Sequence, residues 1–167
     1  KGRRLRVLDF GAGDAPYEPL FDREVLQYTK ADIEEAAHKD VLAVSGEPLP
    51  LPSRSMDAVL SFQVLEHVWD LAWYLDECHR LLHDDGHLVL STHGTWPYHP
   101  HPGDFRRWTR SGLVREIEQH GFAVESIAAL VGPLAYTTLL RLMGYQRILF
   151  EWGVIGRGLG RVMGYLM

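Results

Sequence analysis

A hydrophobic run that ends in a pair of glycines constrains this chain more than any other stretch of it: Val7-Leu8-Asp9-Phe10-Gly11-Ala12-Gly13-Asp14-Ala15-Pro16. Glycines directly after a buried strand let the backbone turn tightly and approach a ligand with no Cβ in the way. Amides pointing out of such a turn favour an anionic group, either a phosphate or a carboxylate. The third glycine of the dinucleotide fingerprint is replaced here by Pro16, and an acid, Asp9, closes the strand. Negative charge at that point suits an ammonium better than a pyrophosphate. Asp32 follows 19 residues beyond Gly13, at the end of a second run, where an acid can accept hydrogen bonds from both hydroxyls of a ribose.

Short apolar runs then alternate with helical patterns, which predicts an α/β domain with a doubly wound, mostly parallel sheet of six or seven strands and helices on both faces. The expected strands are Leu5–Phe10, Gln27–Ile33, Val41–Val44, Ala58–Phe62, His87–Thr92 and Phe122–Ile127, with Gly164–Met167 as the start of a seventh. Leu71, Leu75, Cys78 and Leu82 recur at helical spacing and predict a helix ending at Asp84-Asp85-Gly86. Thr109 or Ser111 is placed to cap a further helix that stops at Gly121. Between them, residues 93–108 hold three prolines, four aromatics and no period, which reads as a functional lid.

The 167 residues hold one cysteine, Cys78, so no internal disulfide framework exists. A net charge of −5 excludes the basic footprint of a nucleic-acid binder. The longest uncharged run, Ser126–Leu140, is too short to span a bilayer. The chain opens on Lys-Gly-Arg-Arg without methionine and without a charged-then-apolar leader, which reads as a segment of a longer, cytoplasmic protein. Charge is unevenly spread, −8 over residues 1–126 and +3 over 127–167. The expected organisation is a core over residues 1–127 and an apolar, arginine-dotted helical segment over 128–167 of the same domain.

In order along the chain, Val-Leu-Asp-Phe-Gly-Ala-Gly, Ala31-Asp32-Ile33, Leu49-Pro50-Leu51-Pro52, Met56-Asp57-Ala58-Val59-Leu60-Ser61, Gln63-Val64-Leu65-Glu66-His67-Val68 and Gly121-Phe122 resemble the class I methyltransferases that use S-adenosylmethionine. The likeness is to those with a type-11 methyltransferase domain and covers roughly Leu5 to Ile127. It implies that Gly11, Ala12 and Gly13 line the methionyl end of S-adenosylmethionine, with Asp9 ordering the loop near its amino group. Asp32, next to Ile33, would hold the ribose; Ser45, Gly46 and Glu47 would read the adenine; Gln63 and Val64 would border the sulfonium. The sequence departs from the family pattern at Ser45, where an aspartate is common. The product would be S-adenosylhomocysteine.

In-line methyl transfer needs a general base only when the acceptor must lose a proton, as a hydroxyl does. His93, directly after the fifth strand, and His67, beside the expected cofactor pocket, are the candidate bases for O-methylation. Trp96, Tyr98, His99, His101, Asp104, Arg106 and Arg107 are the candidate substrate-binding residues of the lid. His93, His99, His101 and Asp104 have the types of metal ligands but no rigid helical pair, so no metal is assigned. The lid resembles that of methyltransferases acting on sugars, polysaccharides and lipid-linked molecules, which implies a small-molecule, sugar or lipid-linked acceptor. Residues 128–167 read as a substrate-side cap, a homodimer interface, or a segment lying on the inner face of a membrane. Two rivals stand beside this reading: an NAD(P)-dependent oxidoreductase, and a non-catalytic cofactor-binding scaffold.

Overall fold

A computed structural model describes residues 3–33 and 39–165. It divides into two compact units, residues 1–125 and 126–167.

The first unit is built on a parallel sheet of five strands: β1 (Leu5–Phe10), β2 (Leu26–Asp32), β3 (Val41–Leu42), β4 (Met56–Phe62) and β5 (Leu82–Ser91), in the order β3-β2-β1-β4-β5. The central strand β1 pairs with β2 from Leu5↔Leu26 to Phe10↔Ala31, and with β4 from Val7↔Ala58 to Asp9↔Leu60. The chain therefore runs outward from β1 to β3 on one side and then returns to lay β4 and β5 on the other. Such a switch point opens a crevice at the carboxyl ends of β1 and β4, where ligands of open α/β sheets bind. Leu8, Phe10, Ala31, Val59, Leu65, Leu75 and Leu81 are all buried in the core around the sheet.

Helix α1 (Leu71–Leu81) starts where Asp70 Oδ1 accepts the Trp73 amide at 3.1 Å. Its apolar face buries Leu71, Tyr74, Leu75, Cys78 and Leu81. Glu77 on the same helix is also buried, and it accepts the Leu49 amide at 2.7 Å and the Arg80 guanidinium at 2.6 Å. Arg80 in turn donates to the carbonyls of Leu49 and Leu51, so one ion pair anchors the proline-rich segment between β3 and β4. The helix ends before the expected Asp84-Asp85-Gly86. The amides of Arg54 and Ser55 take the carbonyls of Arg80 and Leu81 at 2.8 Å each, and Leu82 pairs with Met56. The fifth strand thereby begins at Leu82 rather than at His87.

Helix α2 (Arg110–Gln119) begins as expected at Thr109, whose hydroxyl accepts the Gly112 amide at 3.1 Å. Phe122–Ile127 does not form the expected sixth strand, so the sheet has five strands among the described residues. Phe122 and Val124 still pack against the core, while Ala123 and Glu125 are exposed; the alternation of an extended chain survives without a ladder. The link from β1 to β2 carries only a 3₁₀ turn at Glu18–Leu20 instead of a full helix. Pro16 and Pro19 remove amide donors there.

The second unit is a pair of helices, α3 (Pro133–Glu151) and α4 (Gly153–Tyr165). Most of its glycines lie inside these helices rather than interrupting them. Gly156 and Gly160 are the buried positions of α4, and a Cβ on Gly156 would stand 2.2 Å from the Leu149 carbonyl oxygen. The two helices are thus packed backbone against backbone, with Gln146 Nε2 donating to the Gly160 carbonyl at 2.9 Å. Gly164 and Tyr165, expected to start a seventh strand, belong to α4; Leu166 and Met167 lie outside the described residues. No helix among the described residues is long and apolar enough to cross a membrane.

Candidate functional site

Two groups of side chains meet at the carboxyl edge of the sheet. The first surrounds the glycine turn. Gly11 has φ +87° and Gly13 φ +52°, and the amides of Gly11 and Ala12 both donate to the Ala31 carbonyl. A Cβ on Gly11 would lie 2.5 Å from Val64 Cγ2, so the turn after β1 and the turn after β4 touch at a point only glycine permits. Space beside Gly13 is open, with nothing within 4 Å of where its Cβ would stand. Asp32 Oδ2 accepts the Gly13 amide at 2.7 Å and Oδ1 accepts the Ile33 amide at 2.7 Å, which fixes the carboxylate against the turn. A carboxylate carries about four acceptor sites, so amide bonds and ribose hydroxyl bonds are compatible on one group.

Asp9 is 2% exposed and accepts the Tyr28 hydroxyl at 2.5 Å. Burial raises its pKa against the lowering effect of that hydrogen bond, and the nearby charges of Asp32 and Glu18 raise it further. Burial and Asp9 together push the Tyr28 phenol well above its usual range. A buried acid in this condition gains from an ammonium brought to it. The turn is held from behind by Tyr74, whose hydroxyl makes 2.8 Å contacts with the Phe10 carbonyl and with Ser61 Oγ. An open glycine face, a buried acid and a fixed second acid fit an amino-acid-bearing nucleoside, as the sequence predicts. Ser45, Gly46 and Glu47 form an exposed bend after β3, with the Glu47 carbonyl accepting the Trp73 indole N–H at 2.9 Å. Gln63 adopts φ +57° and donates from Nε2 to Ser91 Oγ at 2.8 Å, which ties the ends of β4 and β5 together.

The second group is the lid, and its centre is Glu66, which the sequence offers only as one of several possible bases. Glu66 lies in the 3₁₀ turn Leu65–His67 and is 0% exposed. Its Oε2 accepts the Thr92 hydroxyl at 2.8 Å, and its Oε1 stands 3.3 Å from His93 Nε2 with no hydrogen bond of its own. His93 stacks on Trp96, with ring centroids 4.9 Å apart, and meets His99 edge-on at 5.6 Å. His67 packs edge-on against His99 at 4.9 Å and donates from Nδ1 to the Gly103 carbonyl. Burial lowers the His93 pKa against the pull of Glu66, and His99, Arg107 and His67 add to the lowering. An acid inside the otherwise apolar turn Val64-Leu65-Glu66 was the signal for Glu66.

The lid's other residues divide between positioning and exposure. Asp104 accepts the His99 amide and a two-pronged bond from Arg107, which holds its carboxyl well below the usual range. Arg107 also donates to the carbonyls of Trp96 and Pro97, and Arg106 to those of Val68 and Trp69. Of the two guanidiniums, named among the candidate substrate-binding residues, Arg107 braces the lid against its own backbone and Arg106 ties it to the segment after the Leu65–His67 turn. Phe105 donates its amide to the Glu66 carbonyl and Trp108 to that of His93, which completes the seam. Tyr98 and His101 are exposed.

Comparison with known proteins identifies the family and the fold. The profile of a family described as a methyltransferase domain matches residues 1–131. A probable S-adenosylmethionine-dependent methyltransferase of Mycolicibacterium smegmatis is 37% identical over 83 residues, 46% of this chain and 32% of that protein. The chain thus spans about a third of the length of this curated relative. Among solved structures, an S-adenosylmethionine-dependent methyltransferase from Mesorhizobium loti superposes with TM-score 0.62 at 21% identity, over 83% of each chain. The 1,6-didemethyltoxoflavin-N1-methyltransferase of Burkholderia thailandensis, with its substrate and S-adenosylhomocysteine bound, gives TM-score 0.63 at 22% identity over 80% of this chain and 67% of that one. At such identity the two structures speak for the fold.

Proposed function

The chain belongs to the methyltransferase-domain family, within the class I group that uses S-adenosylmethionine, and we propose that it methylates a small-molecule, sugar or lipid-linked acceptor at oxygen. The observation that carries the proposal is that the glycine turn and the histidine-lined lid share one sheet edge, joined where Gly11 meets Val64. Gly11, Ala12 and Gly13 hold the methionyl end, Asp9 faces its ammonium, and Asp32 with Ile33 takes the ribose. Ser45, Gly46 and Glu47 read the adenine, and Gln63 and Val64 border the sulfonium. When bound, the cofactor supplies an electrophilic methyl group.

The chain's own part is to align the acceptor and take its proton. Holding nucleophile and methyl carbon in line supplies much of the acceleration. Trp96 and His99 wall the acceptor side, Asp104 and Arg107 brace them, and Tyr98 and His101 lie at the mouth. His93 or His67 receives the hydroxyl proton. That the Burkholderia enzyme of similar fold holds a small heterocycle supports a small acceptor. Calorimetry with S-adenosylhomocysteine and with NAD tests the reading: binding of the nucleoside thioether is expected, and binding of NAD alone would overturn it.

For the second unit, a peripheral contact with an anionic membrane is the reading its surface favours. Leu134, Val154, Ile155 and Leu159 are all more than half exposed, beside Arg141, Arg147, Arg157 and Arg161 and a single acid, Glu151.

A further inference from the structure

His93, His99, His101 and Asp104 carry ligand chemistry in sequence, but a loop gives them no fixed geometry. In the folded chain Asp104 is committed to Arg107 and His101 is exposed. A different residue takes their place: Glu66, from the turn after β4, brings a buried carboxylate oxygen to His93 and His99. We propose that Glu66, His93 and His99 form a binding site for one divalent transition cation of the zinc class.

Four observations carry this. One oxygen or nitrogen of each residue lies within 4.8 Å of the others. Oε1 of Glu66 and Nε2 of His93 are 3.3 Å apart, which is about the edge of a tetrahedron whose metal–ligand bonds are about 2.0–2.1 Å. The remaining edges are at most 4.8 Å, so a shift of no more than about 1.5 Å in the His99 ring, on a lid segment rather than a strand, closes them. Glu66 Oε1 is buried without a hydrogen bond, and an orphaned buried carboxylate oxygen is costly unless something positive meets it. Finally, the supports that orient metal ligands are in place. The Thr92 hydroxyl fixes the other Glu66 oxygen, and Asp104, clamped by Arg107, stands 3.7 Å from His99 Nδ1.

Two imidazoles and one carboxylate with a fourth position open is the donor set of catalytic zinc sites, and it suits borderline ions better than magnesium. Within the methyl-transfer reading, on which this one consequence rests, a cation here would lower the pKa of a bound acceptor hydroxyl, whose proton passes to His67 or to solvent as the oxygen takes the methyl group. His93 is then a ligand and not a base.

The test titrates the full chain, first freed of metal with a chelator, with Co²⁺ followed by its absorption, then with Zn²⁺ in competition. One Co²⁺ per chain, displaced by Zn²⁺, is expected. Affinity should fall by about 100-fold in Glu66→Gln and His99→Ala and by about tenfold in Thr92→Ala, with His101→Ala unchanged. S-adenosylhomocysteine binding, measured on each variant, reports whether the sheet edge is folded. Because Glu66 is buried, His99→Ala carries the test should Glu66→Gln fail that check. No bound Co²⁺, equal binding by His99→Ala, or a loss that follows His101→Ala would each overturn the site. A wild-type chain that binds Co²⁺ but not S-adenosylhomocysteine would sink the methyl-transfer reading and leave the cation site standing.

Discussion

Replacing Gly11 with alanine probes the contact that joins the two halves of the site. The new Cβ would lie 2.5 and 2.7 Å from the two methyl carbons of Val64, against an optimal carbon–carbon separation of about 3.5–4.0 Å. Either turn must therefore retreat by about 1 Å, and overpacking on that scale costs about 1–3 kcal/mol. The left-handed φ of +87° adds about 1–2 kcal/mol for any residue with a side chain. The expected destabilisation of Gly11→Ala is then about 2–5 kcal/mol. Gly13→Ala, with a left-handed φ but open space around it, should cost only the backbone part of about 1–2 kcal/mol. Val64→Ala alone removes two half-buried methyl groups and costs about 1 kcal/mol. In the double variant those methyls are gone, and most of the steric part of the Gly11→Ala cost should go with them, leaving only the 3.2 Å approach to the Cβ at position 64. A double-mutant cycle by urea denaturation should yield a favourable coupling of about 1–3 kcal/mol. Equal costs at Gly11 and Gly13, or additivity within about 0.5 kcal/mol, would refute the contact.

Asp32→Ala should weaken S-adenosylhomocysteine binding by about 1–3 kcal/mol in calorimetry, through lost hydrogen bonds to a charged group that also fixes the Gly13 amide. His93→Ala should lower single-turnover methyl transfer by about 100-fold or more while leaving S-adenosylhomocysteine affinity nearly unchanged; normal turnover would remove His93 from the chemistry. Burial raises the Asp9 pKa, so the folded chain holds that proton more tightly than the unfolded chain, and stability is lost as pH rises through the folded value. Asp9→Asn should accordingly melt higher than wild type at neutral pH and show a flatter pH profile above the ordinary carboxylate range, yet bind S-adenosylhomocysteine more weakly. The chain should sediment with phosphatidylserine vesicles at low salt and lose that binding when residues 128–167 are removed. Sedimentation as a dimer without vesicle binding would assign the apolar face to self-association instead.

Local signals were legible in the sequence wherever neighbouring residues alone decide the outcome. Leu5–Phe10 is a strand with those bounds because its apolar run is sealed by two glycines, and Thr109 caps α2 because its hydroxyl needs only the amide three residues on. Where distant groups compete for the same backbone, the reading moved. The end of α1 is set by amides from residues 54 and 55, more than twenty positions away, and no pattern inside the helix announces them. The absent sixth strand is similar, since Phe122 and Val124 keep the alternation but find no ladder. At the site, the glycine turn and Asp32 were legible because backbone conformation and charge sign are local properties. The central place of Glu66 and the use of Arg106 and Arg107 as braces were not, because each depends on which carbonyls and rings the lid meets after folding.

The indole of Trp73 donates to the Glu47 carbonyl and lies edge-on to Phe10, with ring centroids 5.9 Å apart. A native fluorophore is thus wired at one end to the bend read as the adenine's berth and at the other to the residue preceding Gly11. Nucleoside arrival should alter its emission, and Trp73→Phe supplies the blank that separates this signal from the four other tryptophans. Occupancy of the crevice can therefore be followed in real time without attaching a dye.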